Sequence, residues 1–196
     1  MKSLLFAIVA VLVSTSVLAA GEMRIEITAS AVEKGHNIFV SNCNACHGLK
    51  YYRDKDHQEG YAPLMDPATA AATFGVAPPD LSLITAARGK GRVGARYVHE
   101  LLTGYYTDAD GKIKNRAFAA ETQTEGVIAM PQPIPQDDPA LDEKARDVAA
   151  FLYTVSNPDE PERLSIGKYV IAYMAVMTAL LFALNKVTWK RVKKKL

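Results

Sequence analysis

The spacing of apolar positions changes along the chain, and each change predicts a different kind of segment. Residues 4–13 (LLFAIVAVLV) are almost uniformly apolar, and Tyr169 to Leu184 (YVIAYMAVMTALLFAL) carries no charge. Between these runs the apolar residues come in short helical stretches interrupted by proline. Val32, Gly35 and Phe39 share one face of a helix expected over Ala31–Asn42. Gly35 costs that helix about 1 kcal/mol against Ala, so it marks close approach by another element. A short helix is expected from Pro67, and Asp80 or Ser82 is placed to cap one. Arg96–Leu102 (RYVHELL) reads as a helix ended by Gly104. Tyr105–Glu125 is polar and reads as loop, with a turn at Asp110-Gly111. Gly126–Pro135 (GVIAMPQPIP) reads as extended, because proline disfavours helix at the residue before it. Pro139, at a first helical position, opens a last helix with Ala145, Val148, Ala149 and Leu152 inward and an end near Asn157-Pro158. PDEPER then reads as a polar linker. No strand pair emerges. The chain is thus read as mostly α with long loops, its first and last helices before the linker crossing.

The two terminal apolar runs differ in kind. Lys2, the run of about ten apolar residues and the small residues Ala19 and Ala20 behind it form the pattern of a secretory signal peptide. The C-terminal run, extended by Ile166, Gly167 and a snorkelling Lys168, reaches the roughly 20 residues needed to cross a bilayer core. The alternative, a buried helix of a soluble domain, fits badly with a run that has an apolar surface on every side and no polar stripe. Tyr169 and Trp189 sit near its ends, where aromatic belts lie. Lys186, Lys190, Arg191, Lys193, Lys194 and Lys195 crowd behind it and, by the positive-inside rule, face the cytoplasm. The resulting plan is a cleaved signal peptide at 1–20, an exported domain at 21–164, a transmembrane helix at 165–187 and a basic cytoplasmic tail at 188–196. The protein is expected in the inner (cell) membrane as a single-pass chain, its domain on the periplasmic side.

Charge changes the picture once it is divided this way. The whole chain carries +2, but Lys2, Lys168 and the six basic residues behind the span belong to the ends. The exported part keeps 15 of the 23 Lys and Arg against all 21 Asp and Glu, a net charge of −6. That excludes a nucleic-acid binder and suits a basic soluble partner met through electrostatic steering.

The only two cysteines, Cys43 and Cys46, lie in CNACHG with His47 directly behind. Cys-x-x-Cys-His in an exported domain is the signature of c-type haem attachment. Each thiol can form a thioether to a haem vinyl group, one helical turn presents both, and His47 is placed to ligate the iron. A disulfide across so small a loop stabilises little. A thioredoxin-like site wants a strand before and a helix after. A structural zinc site wants four ligands, and His36, His57 and His99 are not spaced to supply them. For the sixth position Met130, in its proline-braced loop, is the first candidate, with Met65 and His99 as competitors. A His/Met pair raises the potential relative to bis-His, which would make the group a high-potential electron acceptor.

Several stretches together resemble the cytochrome c1 family, the haem subunit of the ubiquinol–cytochrome c reductase (cytochrome bc1) complex. They are CNACHGLKYYR, APPDLSLITAARG, ARYVHELLTGY, VIAMPQPI and ARDVAAFLYTVSNPDEPERLSIGKYV. The resemblance implies a cytochrome c-like haem domain with long loops plus one C-terminal transmembrane helix. It implies one haem c on Cys43 and Cys46 with His47 and Met130 as axial ligands. It also implies that Arg88 and Tyr97 meet the haem propionates, with Arg92 and Arg96 as alternatives for the arginine, and that Pro79 lies in a Pro-Pro-Asp turn over the haem edge. The partners implied are cytochrome b, the Rieske iron–sulfur protein as electron donor and a soluble or membrane-tethered cytochrome c as acceptor, in a dimeric complex. The subunit would carry electrons for an oxidoreductase without an acid, base or nucleophile of its own. This chain departs from the family at RGKGRVGARYV, which is longer than the usual link. It also has NRAFAAETQTEG in place of an aromatic, proline-containing approach to the methionine. Other readings are another membrane-anchored monohaem cytochrome c, such as an oxidase subunit, a haem-based sensor or peroxidase with an open iron position, and a non-haem dithiol or zinc module.

Overall fold

The computed structural model describes residues 24–54, 58–89 and 91–194. The expected signal peptide lies outside these residues, as do His57 and Lys90. The described chain divides into two compact units between Ser156 and Asn157.

The first unit is built on a helix crossing. Helix α1 (Ala29–Ile38) starts at Thr28, whose hydroxyl accepts the Ala31 amide at 3.1 Å. It runs into a π turn over Phe39–Cys43. Helix α6 (Leu141–Ser156) packs across it. A Cβ on Gly35 would lie 2.0 Å from the Asp147 carbonyl oxygen and 2.8 Å from the Phe151 Cβ. Only hydrogen fits there, so the expected close approach is the α1–α6 crossing. The four inward residues expected of α6 are buried, together with Ala150, Phe151, Tyr153 and Val155. Thus α6 is wrapped on nearly every side and forms the centre of the domain. Phe39 and Phe151 meet at 5.8 Å between ring centroids, with His36, Tyr52 and Tyr61 around them.

Between these helices run α2 (Pro67–Phe74), α3 (Ile84–Ala87) and α4 (Val93–Thr103). Asp66 caps α2 through the amides of Ala68 and Thr69, both at 3.1 Å, and Pro67 opens it as expected. Helix α4 begins at Val93, one turn before the expected start, with Gly94 pressed so close to Thr85 that a Cβ would lie 1.7 Å from its carbonyl oxygen. Three further expectations are corrected. The stretch 105–125 is not loop: it holds an antiparallel hairpin of β1 (Tyr105–Thr107) and β2 (Ile113–Asn115), then α5 (Arg116–Thr122). The hairpin escapes the hydrophobic pattern because its buried strand-end residue is Asn115, while Ile113 is exposed. Pro139 lies ahead of its helix, not at its first position. Asp138 takes the Ala140 amide on its carboxylate at 2.8 Å, and α6 opens at Leu141.

The second unit is α7 (Glu160–Lys193), with Pro161 in its first turn. Most of PDEPER is therefore helix, not linker. At about 1.5 Å per residue its 34 residues outrun a bilayer core of about 30 Å. It is long and apolar enough to cross a membrane, with a mean hydropathy of 1.8 over its most apolar window. The mostly α reading, with one apolar C-terminal helix, matches the structure.

Candidate functional site

Chain-local hydrogen bonds shape CNACHG into one helical turn. The π turn delivers Cys43, and the amides of Cys46 and His47 both donate to the Cys43 carbonyl, at 3.1 and 2.9 Å. Single π turns inside helices are frequent at functional sites. Asn44 is buried and ties this turn to the next segment, donating to the carbonyls of His47 at 3.2 Å and Ala62 at 2.9 Å. The Leu64 and Met65 amides donate back to Asn44 and Ala45.

A second staple fixes the histidine. Asp80 accepts the Lys50 amide at 2.8 Å and the Ser82 amide at 2.9 Å, and the Leu81 amide donates to Gly48. The Pro-Pro-Asp turn is thereby locked against the residues following His47. In that position the Pro79 carbonyl accepts from His47 Nδ1 at 2.8 Å. The ring's other nitrogen, Nε2, is left to bind a metal, and a carbonyl acceptor on the distal ring nitrogen is how protein-held metals usually orient histidine. Burial pushes the imidazole below its ordinary value, against the opposing pulls of the Pro79 carbonyl and Asp80. That shift favours the neutral ring, the form in which a histidine ligates a metal.

Cys43, Cys46, His47, Pro79, Arg88, Tyr97 and Met130 all line one cavity of about 580 Å³. Ligand cavities run from roughly 300 to 1,000 Å³. The remaining wall is mostly apolar, with Ile84, Leu101, Phe118 and Leu152 among it. Of the three candidate arginines only Arg88 lines it. Arg92 donates to the Ile25 carbonyl at 2.9 Å, and Arg96 pairs with Glu100 at 3.5 Å. Met65 and His99 do not line the cavity. His99 is buried elsewhere, with Nε2 on the Asp142 carboxylate at 2.8 Å. The methionine loop is braced as its prolines suggest. Tyr105 donates its hydroxyl to the Met130 carbonyl at 3.3 Å, and Asn42, beside the cysteines, donates to the Pro133 carbonyl at 3.1 Å.

The Arg88 guanidinium stacks 5.1 Å from the Tyr97 ring centroid and forms an ion pair with Glu121 of α5. Burial and a hydrogen bond to Glu121 push the Tyr97 phenol up to about 12, with Arg88 opposing. Asn44, Asp80 and Glu121 were not singled out for the site by the sequence. Asp80 had one available signal, its place after two prolines; the partners of the other two are remote in the chain.

The donor set fits a haem and not the rival groups. Both cysteines are free. Burial, with Cys46 adding to it, pushes the Cys43 thiol up to about 12. Among the described residues no three His, Cys, Asp or Glu side chains gather to hold a metal ion. An apolar cavity with two thiols, one oriented imidazole and one thioether is what a c-type haem requires.

The model of the Cytochrome C1 family matches residues 53–192. The chain belongs to the cytochrome c1 family. It is 32% identical to cytochrome c1 of Rhodospirillum rubrum, over 83% of this chain and 82% of that protein. It is 24% identical to the cytochrome b/c1 of Bradyrhizobium diazoefficiens, over 81% of this chain and 33% of that protein. Its fold is shared with a chain of a hyperthermophilic respiratory complex III, at a TM-score of 0.51 and 21% identity over 97% of each chain. Membership in the cytochrome c1 family implies a c-type haem and a role in electron transport. With the family established, α7 is a single-pass membrane anchor.

Proposed function

We propose that this cytochrome c1 family member carries one haem c, attached through Cys43 and Cys46 with His47 and Met130 as axial ligands, and passes electrons within a cytochrome bc1 complex. The observation that carries the proposal is that the CNACHG turn and the Met130 loop, far apart in sequence, line the same apolar cavity. A haem bound there supplies a one-electron couple. The chain's residues set how that couple behaves. The apolar wall excludes water and disfavours extra positive charge, and a thioether ligand raises the potential relative to bis-His. The Pro79 carbonyl fixes the tautomer and direction of His47. Arg88 and Tyr97 stand at the wall to meet the propionates.

The electron donor is the Rieske iron–sulfur protein, and the acceptor is a soluble or tethered cytochrome c. Quinol oxidation and proton release belong to the partner subunits. The anchor packs beside cytochrome b in a dimeric complex. A relative named cytochrome b/c1 supports that neighbour. The haem domain faces the periplasm after cleavage of residues 1–20, and the basic tail at 188–196 faces the cytoplasm. The net charge of −6 on 21–164 supports steering of a basic cytochrome c.

Affinity purification of the full-length chain from membranes tests this reading. The expected preparation contains b-type haem and an iron–sulfur centre, and quinol reduces its c-type haem. A c-type haem recovered without either partner centre would point instead to a monohaem cytochrome of another chain.

A further inference from the structure

The segment NRAFAAETQTEG, at 115–126, forms part of the cavity's support. Asn115 caps α5 by accepting the Phe118 amide at 3.1 Å and anchors it by donating to the Leu101 carbonyl at 2.7 Å. The Arg116 amide donates to the Gly104 carbonyl at 3.0 Å. So α5 is bound at its start to the end of α4. One turn apart on α5, Phe118 lines the cavity and Glu121 does not. The Glu121 carboxylate instead pairs with Arg88, which follows α3, and hydrogen-bonds with Tyr97 of α4. Both of those partners line the cavity. The Arg88 and Glu121 side chains are only 35% and 30% exposed, so solvent screens the pair incompletely.

From this arrangement we infer that Glu121 is a positioning residue for the haem: it holds Arg88 against Tyr97 at the cavity wall and offsets its charge, lowering the haem midpoint potential. The inference rests on the haem reading given above. One-electron reduction adds a negative charge to the cavity. A guanidinium at the wall favours that reduced form, and a carboxylate behind the guanidinium reduces the favour. Glu121 thus acts from behind the cavity wall, by holding Arg88 and by adding its own negative charge to the field there, and it is not among the residues that line the cavity.

Equilibrium redox titration of the full-length protein in membranes tests this, following the c-type α-band. Glu121→Gln should keep the α-band and raise the midpoint potential, and Glu121→Asp should return it towards the parent value. Glu125→Gln removes the same charge from an exposed side chain of the following loop and should shift the potential far less. Arg88→Gln should lower the potential, and adding Glu121→Gln to it should raise it again. That last comparison stands even where Glu121→Gln alone fails to accumulate, because the double variant removes both partners of the ion pair and leaves neither half-buried charge without the other. Equal potentials for Arg88→Gln and the double variant, or equal shifts from Glu121→Gln and Glu125→Gln, would overturn the inference. An absent α-band in the parent protein would overturn the haem reading itself, so the two failures are distinguishable.

Discussion

Met130 and His47 reach the same cavity by different physical routes. His47 is oriented by a single hydrogen bond from Nδ1 to the Pro79 carbonyl, itself held by Asp80. Met130 sits in a loop with no regular structure, held by Tyr105, Gln132 and prolines. A thioether is a weak ligand, so its loop supplies the placement. Replacing Met130 by Leu should therefore leave the haem attached while the midpoint potential falls by more than about 59 mV, a tenfold change for a one-electron couple. A redox titration giving an unchanged potential would remove Met130 as the ligand. At this scale much of the site was legible from sequence, because Cys-x-x-Cys-His is local and the methionine is bracketed by prolines. Asn44 and Glu121 were not, since each acts on a partner distant in the chain, Ala62 and Arg88, and Asp80 was signalled only by its place after two prolines, not by its partner Lys50. No periodicity records such pairs.

The elements follow the same division. The α1–α6 crossing was readable because a glycine inside an amphipathic helix has few other reasons to be there. Gly35→Ala would drive a methyl into the Asp147 backbone. Overpacking costs roughly 1–3 kcal/mol; between two backbones the upper end applies, about 3 kcal/mol. Thermal unfolding should show a lowered midpoint, and an unchanged one would contradict the close crossing. The hairpin and α5 were hidden for the opposite reason: their key residue is polar. Asn115 is fully buried and serves the helix cap, the α4 carbonyl and the strand pairing together. The hairpin's turn is also polar. Asp108 takes the amides of Asp110 and Lys112, both at 2.9 Å, and pairs with Lys114 at 3.0 Å. These partners, the Lys112 amide first, hold its carboxyl below the ordinary value of 3.8. A depressed folded value means stability that is present above 3.8 and lost as pH falls through the lower folded value. Amide exchange in the hairpin should quicken over that acid range, and Asp108→Asn should remove the dependence. Unaltered pH dependence in the variant would assign the effect elsewhere.

For the whole molecule, the sequence divides into parts with separate tasks. The central helix α6 and the crossing helix α1 form a rigid core. Loops and short helices around that core build the cavity. The apolar helix α7 anchors the chain to a membrane. The broad plan was legible because a long uncharged run and an amphipathic helix are strong patterns. The point where the anchor helix begins was not. Glu160–Arg163 is charged and contains a proline, yet Pro161 is tolerated in a first helical turn and Glu160 and Glu162 suit its dipole. Everything proposed about electron transfer depends on one feature of this molecule, a haem bonded to both cysteines. Haem-dependent peroxidase staining after denaturing electrophoresis, on the full-length protein beside its Cys43→Ala/Cys46→Ala variant, measures it directly. The account predicts that stain comigrates with the parent polypeptide and is absent from the variant. Parent polypeptide free of stain, or stain equally strong in the variant, would contradict it.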